Sequence, residues 1–150
     1  MPYSVNFCLT SNEVINMDAK FSPQVKDILS FSHEEAIRLG NSFIGLEHLF
    51  LGIVREGDSK ALQVLKYLGV DIQAFRKKIE SAIKGEEGSN APGGNLPLMK
   101  QTERALRFTY IAAKELKSDV IHAEHLLLAI LRDKNNIVSQ RLEERGIDYE

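Results

Sequence analysis

The triplet Glu-His-Leu occurs twice in this chain, at 47–49 and at 124–126, and it carries the residue types best suited to recognition chemistry. Each copy stands just inside the start of a segment with helical spacing. A carboxylate there has two uses. Glu47 or Glu124 can complement the positive end of its helix or close a capping interaction. Either can also meet a cationic ligand, and guanidinium suits it because its planar fork matches a carboxylate at two points. His48 and His125 are expected to hydrogen-bond the preceding loop, with Leu49 and Leu126 in the core.

Other chemistry finds no support in the pattern. The sequence contains no GxxxxGK[ST], no HExxH and no CxxC; a phosphate-cradling loop, a metalloprotease helix and a redox pair each need those spacings. His122 and His125 are three apart, but Gly45 stands where the first copy would need its own His122, so no metal is expected. Cys8, the lone cysteine, has no histidine within twenty residues and reads as an incidental thiol. It permits no intramolecular disulfide and suits a reducing, cytoplasmic setting. Glu34-Glu35 and Glu143-Glu144 read as solvated helix faces. The expectation is a binding module with no catalytic residue.

The positioning elements follow from periodicity and punctuation. Ser22 and Pro23 start a helix with Val25, Ile28, Leu29, Ala36 and Leu39 on one face, and Gly40 ends it. The loop Asn41–Gly45 leads to a helix carrying Leu46, Leu49, Phe50, Ile53 and Val54, ended by Gly57. Further helices carry Ala61, Leu62 and Leu65, then Ile72, Phe75 and Ile79 after Asp71. Gly85–Pro97 has no helical period and holds four of the ten glycines and two of the four prolines, so it reads as a linker. Beyond it the helical pattern resumes around Leu106, Leu126 and Leu142. No useful strand alternation appears, and the expected class is all-α.

The two halves are one unit written twice. Shifted by 77 places, residues 36–56 fall on 113–133 without a gap, and 9 of 21 positions are identical. The same shift pairs Gln24 with Gln101, Phe31 with Phe108, Leu65 with Leu142 and Asp71 with Asp148. The expected organisation is an irregular tail over 1–19, a four-helix repeat over 20–84, a linker over 85–97 and a second repeat over 98–150, packed as one pseudo-twofold bundle. Asp148 should open a fourth helix as Asp71 does, so the second repeat is expected to be truncated and the chain a fragment of a longer protein. Met17 is a candidate alternative start.

With 150 residues the chain can bury roughly 70% of its unfolded surface. Its 19 basic and 21 acidic side chains give a net charge of -2, without the basic excess of a general nucleic-acid binder. No apolar run approaches the ~20 residues of a membrane span.

The segment EEAIRLGNSFIGLEHLFLGIVREGDSKALQVLKYLGVD resembles the first N-terminal repeat of Clp-type AAA+ unfoldases, most of all the ClpC class. The second unit, AAKELKSDVIHAEHLLLAILRD with LEERGID, is similar to the second repeat. The resemblance covers Phe21 to Asp148. It implies a pseudo-twofold bundle of eight helices that receives protein substrates and adaptors for a hexameric ATP-driven unfoldase, which feeds a ClpP-type peptidase. ATP and magnesium would then belong to motor modules outside this chain, leaving it no cofactor of its own, and no nucleic acid or membrane is implied as a partner. It also implies recognition of phosphorylated arginine, once per repeat. The first site would be Glu47 with Ser22, beside Phe21 and Pro23. The second would be Glu124 with Leu98, Met99 and Lys100, where Met99 stands in place of the family's hydroxyl. The alternative is a stand-alone double repeat that docks partners without a motor.

Overall fold

Residues 20–84 and 96–149 are described by a computed structural model of the chain. The first helix, α1, runs Pro23–Arg38. Ser22 starts it as expected, its Oγ accepting the Val25 N–H at 3.1 Å, while Pro23 sits where its missing N–H costs nothing. Gly40, at φ 72°, turns the chain out of the helix. α2 follows over Leu46–Glu56, then α3 over Lys60–Tyr67 and α4 over Ile72–Ile83. Ser59 and Asp71 cap these last two, the latter accepting from Ala74 at 3.2 Å. The second unit supplies α5, Lys100–Glu115, then α6, Ala123–Arg132, and α7, Ile137–Glu143. Met99 starts α5 without a side-chain cap. Among the described residues there are helices and two isolated bridges, and no extended sheet. Cys8 and positions 85–95 of the expected linker lie outside the described residues. Leu96 and Pro97 lie inside them, and Pro97 already accepts the Ile44 N–H at 3.0 Å.

One core joins both units. It contains Ile28, Leu29, Leu49, Phe50 and Ile53 from the first and Leu106, Leu126, Ile130, Val138 and Leu142 from the second. α2 and α6 are apolar on most sides because both lie at the centre, which explains their near-continuous hydrophobic runs. Gly52 lets α1 and α2 approach closely, since a Cβ there would meet the Ile28 carbonyl oxygen at 2.5 Å. The second unit has Ala129 at that place, almost fully buried.

The bridges state the symmetry. Phe21 pairs with Ile121, and Ile44 pairs with Leu98. Adding 77 to the first member of one bridge and subtracting 77 from the second gives the other (21 + 77 = 98; 121 − 77 = 44). Each unit therefore lends the segment before its first helix to the loop before the other unit's second helix.

α4 is tied back to the α1–α2 corner. Phe75 meets Phe50 edge-on with centroids 5.3 Å apart, and Asn41 Nδ2 donates to the Ile83 carbonyl at 2.8 Å. Arg38 joins Glu35 on α1 to Glu80 on α4. Glu35 is only 4% exposed, so it is no solvated face as the sequence suggested. The reason is tertiary: α4 covers that side of α1, and the buried carboxylate is retained because Arg38 pairs with it.

Candidate functional site

Each Glu-His-Leu triplet opens a helix at a corner where the two units meet. In the first corner, Gly45 precedes α2. His48 Nδ1 accepts the Gly45 N–H at 2.8 Å and Nε2 lies 2.8 Å from Asn41 Oδ1, so Nε2 carries the proton. The second corner repeats this, with His125 Nδ1 accepting the His122 N–H at 2.9 Å. Both histidines therefore hold the preceding loop, and Leu49 and Leu126 pack in the core. Burial pushes His48 down to about 4, opposed by the nearby Glu35. Burial also lowers His125, with Glu124 acting upward and His122 downward.

Locking the histidines inward leaves the glutamates at the half-buried rim. Glu47 curls back over its own helix start, where a Cβ on Gly45 would stand 2.5 Å from Oε1 and 2.8 Å from Cδ. Glu124 has no such seat to itself, because His122 replaces Gly45 and its ring lies 5.9 Å from that of His125. The two carboxylates are equivalent in sequence and differently framed in space.

Their neighbours come from the opposite unit. Ile44, three residues before Glu47, accepts the Met99 N–H at 3.1 Å and the Thr102 hydroxyl at 2.9 Å. This brings the start of α5, with exposed Lys100 and Met99, to the Glu47 corner. Ile121, three before Glu124, accepts the Ser22 N–H at 3.0 Å and donates to the Lys20 carbonyl at 2.7 Å. Phe21 and Ser22, both buried, thus lie against the loop that leads into Glu124. The sequence reading joined Glu47 to Ser22 and Glu124 to Lys100, each glutamate with the first helix of its own unit. The backbone bonds join each to the helix start of the other unit. The physical reason is the twofold packing, in which the segments ahead of α1 and α5 cross over to complete one another's loops. Periodicity within a repeat cannot distinguish that arrangement from the local one. Lys20, missed in the sequence, enters the second corner by the same route and lines a small cavity of about 210 Å³ with Tyr110, Lys114 and Asp119.

The corners combine a carboxylate with the amide-rich start of a neighbouring helix, a setting that can hold a group with a cationic and an anionic end. Ser22 Oγ is already an acceptor from Val25, leaving its O–H to donate, whereas the start of α5 has no side-chain cap at all. Among the described residues no group of three His, Cys, Asp or Glu side chains converges as a metal cluster. No described helix is long and apolar enough to cross a membrane.

Comparison with known proteins places this architecture. Residues 20–145 match the Clp repeat (R) N-terminal domain. The chain is 33% identical over 132 residues to chaperone protein ClpC2, chloroplastic, of Arabidopsis thaliana, covering 88% of this chain and 14% of that protein. It is 32% identical to chaperone protein ClpC, chloroplastic, of Pisum sativum, with the same coverage of each. The chain thus spans about one seventh of the length of these relatives. The N-domain of ClpV from Vibrio cholerae shares the fold with a TM-score of 0.74 at 19% identity, over 88% of this chain and 82% of that one. The Hsp104 N-terminal domain from Candida albicans does so with a TM-score of 0.71 at 16% identity, over 87% and 84%. The duplicated helices, the crossed bridges and the match over 20–145 together make this chain a member of the Clp repeat N-terminal domain family, related to the N-terminal domains of ClpC-type chaperones.

Proposed function

We propose that this domain receives protein substrates and adaptors for an ATP-dependent Clp unfoldase that feeds a ClpP-type peptidase, and that its two corners bind phosphorylated arginine. The observation that carries the reading is the twice-repeated juxtaposition of a rim carboxylate with the start of a helix from the other unit. The carboxylate suits the guanidinium, and helix-start amides suit the phosphate. At the Glu47 corner the phosphate would meet the uncapped α5 start and Lys100; at the Glu124 corner it would meet the Ser22 hydroxyl. Hydrolysis of ATP, with its magnesium, belongs on this reading to motor modules outside the chain, and the setting is cytoplasmic, although the relatives named above are chloroplastic.

Calorimetric titration of free phosphoarginine tests the reading. The intact chain is expected to bind at two sites, with Glu47→Ala and Glu124→Ala each removing one. A charge-assisted hydrogen bond of this kind contributes about 1.5–3 kcal/mol. Absence of binding, or isotherms that neither substitution changes, would remove the corners from consideration. Crossed partnership makes a sharper demand: Ser22→Ala must weaken the site lost in Glu124→Ala, not the one lost in Glu47→Ala.

A further inference from the structure

Arg55 and Arg132 occupy equivalent places in the two units (55 + 77 = 132), and each lies over an equivalent phenylalanine. The Arg55 guanidinium is 4.7 Å from the Phe31 ring centroid, and that of Arg132 is 4.0 Å from Phe108. There the likeness stops. Arg55 is held by Glu34 at 2.8 Å. The position of Glu34 is taken in the second unit by Ile111 (34 + 77 = 111), which is 49% exposed. Among the described residues no carboxylate pairs with Arg132.

Three of the residues lining the adjoining face are each one or two charges more positive than their counterparts in the first unit. Arg104 replaces Asp27, Lys134 replaces Gly57 and Asn135 replaces Asp58. Both units keep the arginine–aromatic stack, but they do not share these charges. Arg104, Arg132 and Lys134 line an open cleft of about 410 Å³ whose apolar walls are Ala105, Phe108 and Ala129. The acidic group on its rim, Asp133, is occupied locally, its Oδ1 accepting the Asn135 N–H at 2.9 Å. The cleft is also braced. Tyr149 meets Phe108 edge-on at 6.0 Å, and Gln101 Nε2 donates to the Asn135 carbonyl at 3.0 Å. A guanidinium stacked on an aromatic face keeps its fork free for a planar oxyanion.

We propose that this cleft docks an acidic segment of a partner protein, seating an aspartate or glutamate carboxylate on Arg132 and Arg104. The volume leaves room for a side chain with its stem, and the apolar walls suit the methylenes of such a stem. The surface is distinct from the Glu47 and Glu124 corners and does not depend on phosphoarginine.

The test is an NMR titration of the intact chain with a short Asp/Glu-rich peptide, its Asn/Gln counterpart and inorganic phosphate. The acidic peptide is expected to shift the Phe108 and Arg132 signals, and the neutral one to leave them unmoved. Ile111→Glu copies the first unit, giving Arg132 an internal carboxylate at an exposed position where the fold tolerates it. It should weaken peptide binding at least about tenfold, the loss expected of one charge-assisted pair. R104Q/R132Q should do the same, while K78Q/R141Q, in a separate open cleft lined by Lys77, Lys78, Arg141 and Arg145, should bind as the unaltered chain does. No binding, full binding by Ile111→Glu, or equal weakening in K78Q/R141Q would overturn the proposal. Saturation of the cleft by inorganic phosphate at the peptide's working concentration would also overturn it, marking a small-oxyanion site.

Discussion

His48 ties the recognition corner to folding. Its Nδ1 accepts a backbone N–H, so a proton added there meets a donor and breaks the loop contact. Burial holds its pKa at about 4 against an ordinary value of 6.5, with Glu35 pulling the other way. A folded-state pKa below the unfolded one means stability that is complete above about pH 6.5 and is lost as pH falls toward the folded value. The drop from 6.5 to about 4 corresponds to about 3 kcal/mol. His125, lowered by the same cause, adds in the same direction. Urea unfolding at pH 7 and pH 4 should show the loss, and His48→Gln should flatten it. A stability profile unchanged by that substitution would locate the acid sensitivity elsewhere. The glutamates beside these histidines were legible as candidates because a repeated carboxylate at a helix start is chemically distinctive. Glu35 was not legible, since only the covering helix α4 makes its carboxylate a buried one.

At the level of elements, the duplication supplies its own controls. Gly40 leaves α1 with φ 72°, and its counterpart Lys117 leaves α5 with φ 56°, the one non-glycine residue at positive φ among those described. A side chain in that region is strained, so Lys117→Gly is expected to stabilise by about 0.5–1 kcal/mol and Gly40→Ala to destabilise by a similar amount, measured by denaturant midpoints at constant slope. The helix starts give a second pair. Ser22 caps α1, whereas Met99 offers α5 nothing. Met99→Ser should raise stability by about 0.5–1 kcal/mol, and Ser22→Ala should lower it by about 1 kcal/mol. If uncapped α5 amides hold phosphate, Met99→Ser should also alter phosphoarginine binding at the Glu47 corner alone.

Across the whole molecule, the two units are not independent bodies. α2 and α6 share the central core, and each loop before them is completed by a segment from the other unit. Residues 20–84 alone would expose the inner face of α2 and leave the Ile44 N–H and carbonyl without their partners at Pro97 and Met99. An isolated first unit is expected to lack a cooperative thermal transition by circular dichroism, while the intact chain melts in one step. A sharp, independent melt of 20–84 would show that the crossed bridges are accessory to folding.

The sequence by itself determined the all-α class, the helix starts at Ser22 and Asp71, the ends at Gly40 and Gly57, the 77-residue duplication and the two glutamates. Apart from the duplication, which comparison of the two halves reveals, these are local matters, set by backbone chemistry and apolar spacing within a few residues of each position. The tertiary structure decided which residues share a corner. Ser22 lies with the Glu124 loop and Met99 with the Glu47 loop because two copies packed about a pseudo-twofold axis exchange the segments between them. It also decided the unequal framing of the glutamates, Glu47 over the bare Cα of Gly45 and Glu124 beside His122, and the release of Arg132 from the pairing that holds Arg55. A repeat pattern records that two units are alike, whereas contacts across their interface, and charges changed in one copy only, take on meaning once the copies are placed in space.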